Sequence, residues 1–188
     1  MIRMPLRAAS ISGRNRVRPA EAVPQEENNM ELRVVDLSIE SLKGIGQLLT
    51  PERWEVPGKG MEYTYTDIEA DLGLPPPCSA GVLESVPRPM VLGRMERHLR
   101  TREAQIALEG ESVLCVAPPQ ESANGELSGI TAVRICAGQA LILEVGAWHW
   151  IPFPVGEKTA RFLVIFRSGT GKDDLYYYDL TRTLALRL

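Results

Sequence analysis

Fourteen prolines and sixteen glycines in 188 residues leave little of this chain free to form long helices. Proline removes a backbone donor and clashes with the preceding turn, and glycine weakens a helix interior by about 1 kcal/mol. From position 89 onward the chain reads as short apolar runs: 90–98, 105–108, 112–117, 130–135, 140–144, 149–153, 160–166 and 175–180. Turn residues such as Gly110, Pro118, Pro119, Gly125, Gly138, Gly156 and Gly169 separate most of them. This spacing predicts an all-β fold, a sandwich or a barrel. Upstream, 32–38 reads as a strand and 38–49 as one short helix, capped by Ser38 and ended by Gly44 or Gly46. The stretch 51–89 is loop-rich, with a strand expected at 63–66 and a proline run at 75–77 that excludes a helix.

Apolar residues make up 44% and charged residues 24%, enough apolar material for one core in a chain of this length. The net charge of -3 offers no basic surplus for nucleic acid, and no apolar run approaches the ~18 residues of a membrane span. Residues 1–29 differ in character. Arg3, Arg7, Arg14, Arg16 and Arg18 precede the first acid, and a polar stretch follows. They read as a disordered extension, with a targeting segment or a natural start at Met30 as alternatives, and 30–188 as a single domain. Cys78, Cys115 and Cys136 are odd in number and widely spaced, which predicts reduced thiols in a cytoplasmic protein.

The chain has only two histidines, His98 and His149, so any imidazole chemistry must use them. Glu96 and His98 are two apart on an expected strand and project to one face. Glu103 follows on the next strand and Gly110 allows the turn beyond it. A second segment repeats the logic: Gly138, Glu144, Gly146 and His149 read as strand, tight turn, strand.

The two segments together resemble the paired motifs of the cupin superfamily, with Glu96 standing where the first motif histidine usually sits. That resemblance implies a small antiparallel β-barrel with a metal or substrate site inside. From Met30 onward the chain is similar to the ureidoglycolate lyase family of cupins. The likeness runs through the opening strand from Met30, the segment Met95 to His98, Trp148 with His149, and the run from Phe162 to Gly169. Glu103, Glu144 and Trp150 stand where that family usually carries other residues. The family resemblance implies a homodimeric enzyme that cleaves ureidoglycolate to glyoxylate and urea in allantoin and purine breakdown. No nucleic-acid or membrane partner is implied.

Such an elimination needs a base, an acid and positive charge for a small-molecule carboxylate. A divalent metal (nickel, zinc or manganese) would supply the charge, with His98, Glu103 and His149 as expected ligands. Glu96 is expected as a fourth ligand or base, and Glu144 as the acid/base if burial raises its proton affinity. Arg161 and Arg167 share a face on a regular strand and, with Tyr65, are candidates for the substrate; Arg161 reads equally as a surface partner of an acid. Arg97 is expected to point away from Glu96 and His98. Other metal-dependent cupin enzymes, an isomerase or a dioxygenase, and a non-catalytic metabolite-binding cupin remain open on these residues.

Overall fold

The computed structural model describes residues 30–50, 71–121 and 126–188. The extension 1–29, the strand expected at 63–66 and the candidate Tyr65 lie outside the described residues. Twelve strands and one short helix follow in chain order: β1 (Met30–Asp36), β2 (Gly46–Leu48), β3 (Cys78–Ser85), β4 (Val91–Arg97), β5 (Glu103–Glu109), β6 (Glu111–Ala117), β7 (Thr131–Cys136), β8 (Ala140–Leu143), β9 (Trp148–His149), β10 (Phe153–Pro154), β11 (Ala160–Arg167), α1 (Thr170–Asp173) and β12 (Tyr176–Arg187).

The strands form two sheets, ordered β10-β6-β7-β1-β12-β4-β9 and β2-β8-β5-β11-β3. In the larger one β9 pairs with β4 through Glu96 and His149, and with β6 through Val116 and His149. That double pairing closes the ring, so the expected all-β barrel is the architecture observed. Its pairing is not wholly antiparallel, because β1 enters between β7 and β12 and runs parallel to both.

The apolar run of β6 explains its place. Leu114 and Val116 pack inward with Val133, Ile135, Leu141, Leu143 and Phe162. Val113, Cys115 and Ala117 face a second cluster with Met95, Trp148 and Phe153. A strand buried on both faces must read as a continuous apolar run rather than an alternating one. The run expected as one strand at 149–153 is split into β9 and β10 along the same edge of β6. Pro152 has no N–H to give the ladder at that break.

The helix expected at 38–49 is replaced by turns followed by β2. Its opening survives as a hydrogen bond from the Leu42 N–H to the Ser38 carbonyl (3.3 Å). Gly44 then takes φ +72°, and Gly46 lies so close to β8 that a Cβ would sit 2.2 Å from the Ile142 carbonyl oxygen. Pairing with β8 therefore overrides the local helical pattern, while Leu42 and Ile45 still enter the core.

Candidate metal and substrate site

Strand alternation decides which side chains enter the barrel. On β11, Phe162 and Val164 are buried and Phe166 lines the cavity, so Arg161 turns to the other face. On β5, Glu103 and Gln105 share the inward side with Ala107. On β4, Glu96 points inward while Arg97 lies over the Trp148 ring on the opposite side and bonds Glu121 and the Gln120 carbonyl. His98, one residue beyond β4, returns to the side of Glu96. These residues meet in a cavity of about 360 Å³, a size suited to a small metabolite. Its walls are apolar, with Leu83, Val164, Phe166 and Leu175 among them, and its polar end holds Glu96, His98, Glu103, Gln105 and His149.

The hydrogen bonds set the tautomers. A carbonyl oxygen can only accept, so His98 Nδ1 donates to the Asp174 carbonyl (2.7 Å) and His149 Nδ1 donates to the Ala147 carbonyl (3.2 Å). Both Nε2 atoms are thereby turned toward carboxylates. His98 Nε2 lies 3.0 Å from Glu103 Oε2, and His149 Nε2 lies 3.6 Å from Glu103 Oε2 and 3.8 Å from Glu96 Oε1. A lone pair facing a carboxylate is repelled unless a proton or a cation lies between them. His149 Nε2 is buried and has no hydrogen-bond partner among the described residues. Ligand atoms of Glu96, His98 and His149 fall within 4.8 Å of one another. Two imidazoles fixed through Nδ1 by backbone carbonyls, with carboxylates opposite their free nitrogens, form a donor set that fits a divalent transition metal.

The charges are strongly coupled. Burial alone would push the His149 proton off, but the charge of Glu103 beside it, with Glu96 beyond, raises its pKa to about 9. Burial would likewise raise Glu103, yet His149 and His98 hold it well below the usual carboxylate range. Glu96 is shifted upward, chiefly by burial and partly by the neighbouring Glu103 charge. The pH consequence in the chelated protein follows from the two directions. The raised His149 contributes stability that is complete below its ordinary value of 6.5 and is lost as pH climbs through about 9. The depressed Glu103 contributes above its ordinary value of 4.5, and this is lost in acid. Thermal melts of metal-free protein are expected to fall from pH 6.5 to 9. Glu103→Gln is expected to flatten that limb, and parallel limbs in both proteins would remove the pair as its source.

Several expected residues lie elsewhere. Glu144 follows Leu143, whose side chain is in the core, and turns outward to accept from Arg102 Nε (2.8 Å) and Gln47 Nε2 (3.2 Å). It is not among the cavity-lining residues, so the acid/base expected there is not at the site. Arg161 bonds Glu84 (2.8 Å) and Glu109 (3.1 Å) on the barrel's outer side. Arg167 pairs with Asp173 and its own neighbour's carbonyl. No arginine or lysine lines the cavity among the described residues, so a substrate carboxylate finds no guanidinium there. Two contributors escape a reading by motif. Asp174 is buried, accepts from the Leu99 and Arg100 backbone N–H groups (2.9 and 3.0 Å), and presents its carbonyl to His98. Gln105 donates to Glu103 Oε1 (2.6 Å), and its place two residues after Glu103 on one strand was the available signal.

A family model described as ureidoglycolate lyase matches residues 77–185. The ureidoglycolate lyase of Pseudomonas syringae pv. tomato is 35% identical over 105 residues, covering 55% of this chain and 60% of its own length. Ureidoglycolate lyase 2 of Rhizobium meliloti is 35% identical over 83 residues, covering 44% of this chain and 49% of its own. The chain thus spans at most about 60% of the length of these relatives. Among solved structures, Lactobacillus farciminis oxalate decarboxylase in a formate complex matches at 22% identity and TM-score 0.36, covering 47% of this chain and 23% of that one. The capsular polysaccharide assembling protein CapF of Staphylococcus aureus matches at 15% identity and TM-score 0.42, covering 54% and 28%.

Proposed function

Because the chain belongs to the ureidoglycolate lyase family, we propose that its site cleaves ureidoglycolate to glyoxylate and urea. The observation that carries this reading is the extent of the family match, 77–185, which contains Glu96, His98, Glu103, Gln105 and His149 together. The reaction is an elimination at one carbon. The hydroxyl O–H loses its proton, the C=O forms, the C–N bond breaks, and the departing nitrogen takes a proton to give urea.

Glu96 suits the proton traffic. Its partly buried carboxyl is shifted toward higher proton affinity, so it can take the hydroxyl proton and return one to the nitrogen. Glu103 does not suit that task, because the two histidines hold it ionised. His98, Glu103 and His149 would hold a divalent metal (nickel, zinc or manganese), with Glu96 within reach of the same point. When bound, that ion supplies fixed positive charge for the substrate's carboxylate and hydroxyl oxygens, a need the outward-facing arginines do not meet. The apolar walls screen these charges more weakly than water does, which strengthens each of these interactions. The same reading takes the enzyme as a cytoplasmic homodimer; the family resemblance supports the dimer, and the three free cysteines suit a reducing compartment.

The test is elemental analysis of the purified full chain paired with a glyoxylate-release assay on ureidoglycolate. About one metal ion per chain together with release is expected. Metal without release would move the site to another substrate, and neither would leave a binding role in place of catalysis.

A further inference from the structure

We propose that the Gln105 carboxamide oxygen is a specificity-determining acceptor that takes an N–H from the terminal ureido nitrogen of the substrate; this rests on the lyase reading above. Gln105 sits on β5 directly across from Val164 of β11 and is 2% exposed. Its side chain lines the cavity. The amide cannot be turned over freely, because Nε2 donates to Glu103 Oε1 at 2.6 Å and a carboxylate oxygen only accepts. That contact leaves Oε1 as the other end, and Oε1 is buried with no hydrogen-bond partner among the described residues. A native interior rarely leaves such an acceptor unmet without a purpose.

No other lining side chain donates to that oxygen among the described residues. The Thr170 hydroxyl donates to the Arg167 carbonyl (2.7 Å), both Nδ1 protons are given to carbonyls, and His149 Nε2 faces carboxylates. Gln105 Oε1 therefore needs a donor from the ligand. A carboxylate has none to give. The substrate hydroxyl proton is the one that Glu96 removes. The ureido end carries N–H donors, and an acceptor built to meet them rejects a ligand that lacks them. This contact also orients the leaving group, placing its nitrogen on the β5 side of the cavity.

The experiment uses Gln105→Met, which keeps the bulk of the side chain and removes the acceptor. The KM for ureidoglycolate is expected to rise about 10- to 100-fold, and inhibition by urea to weaken by about the same factor. Inhibition by glyoxylate, assayed with the divalent metal at saturation because Gln105 also donates to Glu103, is expected to stay within about twofold of the parent. Unchanged KM and urea inhibition would overturn the assignment while leaving the lyase reading intact. Equal weakening of urea and glyoxylate inhibition would also overturn it, since Gln105 would then act only by supporting Glu103. Failure of the parent protein to release glyoxylate would sink the lyase reading, and the ureido assignment with it. If Gln105→Met does not fold, as judged by circular dichroism, the parent decides through urea against tetramethylurea, which has no N–H. Weaker inhibition by tetramethylurea, by about tenfold or more, is expected, and equal inhibition by the two would overturn the proposal.

Discussion

Replacing His149 with alanine is expected to lower bound divalent metal from about one ion per chain to less than about a tenth, with glyoxylate release falling alongside. The size of the effect follows from how few donors the cavity offers. His149 is one of only two histidines in the chain, and its Nε2 is a buried nitrogen that lines the cavity with no hydrogen-bond partner among the described residues. Losing a hydrogen-bond partner behind a metal ligand costs about 10- to 100-fold in affinity, and losing the ligand itself costs more. His98→Ala is expected to behave alike, because its Nε2 is the second imidazole donor, 3.0 Å from Glu103 Oε2. Inductively coupled plasma measurements on dialysed protein, with circular dichroism to confirm folding, check both variants. Stoichiometric metal retained in both would remove the histidines as ligands.

Glu96→Gln is expected to separate metal binding from turnover. If Glu96 carries the proton, kcat falls by about 10²- to 10⁴-fold, the usual contribution of a positioned acid or base. Metal content is expected to remain near that of the parent, since His98, His149 and Glu103 are untouched. The substitution is nearly isosteric, and the backbone pairing of residue 96 with His149 is kept. Loss of metal in Glu96→Gln would instead make Glu96 a ligand. An unchanged rate would remove it from the reaction.

Much of this site is legible from residue spacing. The two-residue step from Glu96 to His98 puts both in the cavity and sends Arg97 to the other face, as strand alternation requires. Most strands after Pro89 fall within a few residues of their expected places, because Gly and Pro punctuate them. The arginines show where such reasoning stops. Alternation says that Arg161 and Arg167 share a face, but only the packing of Phe162 and Val164 says which face is inside. Glu144 fails by a single position, since Leu143 takes the core side just before it. β3 was hidden because its residues are largely exposed and it follows a proline run, so no apolar alternation announces it. The Asp174 carbonyl that orients His98 arrives from 76 positions away, a pairing that no local pattern encodes.

The two-residue strand that closes the ring also carries a site histidine. Its backbone pairs with β4 on one side and β6 on the other, and the Glu96 contact spans more than fifty residues of chain. Closing such a non-local contact carries an entropic cost that a local hairpin does not. The donor set is therefore assembled by the same event that seals the barrel. A chain whose seam has opened still possesses most of its sheet, yet its two imidazoles no longer face one another. Such a species would pass a measurement of secondary structure while being chemically inert. Site occupancy thus reports the seam's integrity more directly than overall strand content does.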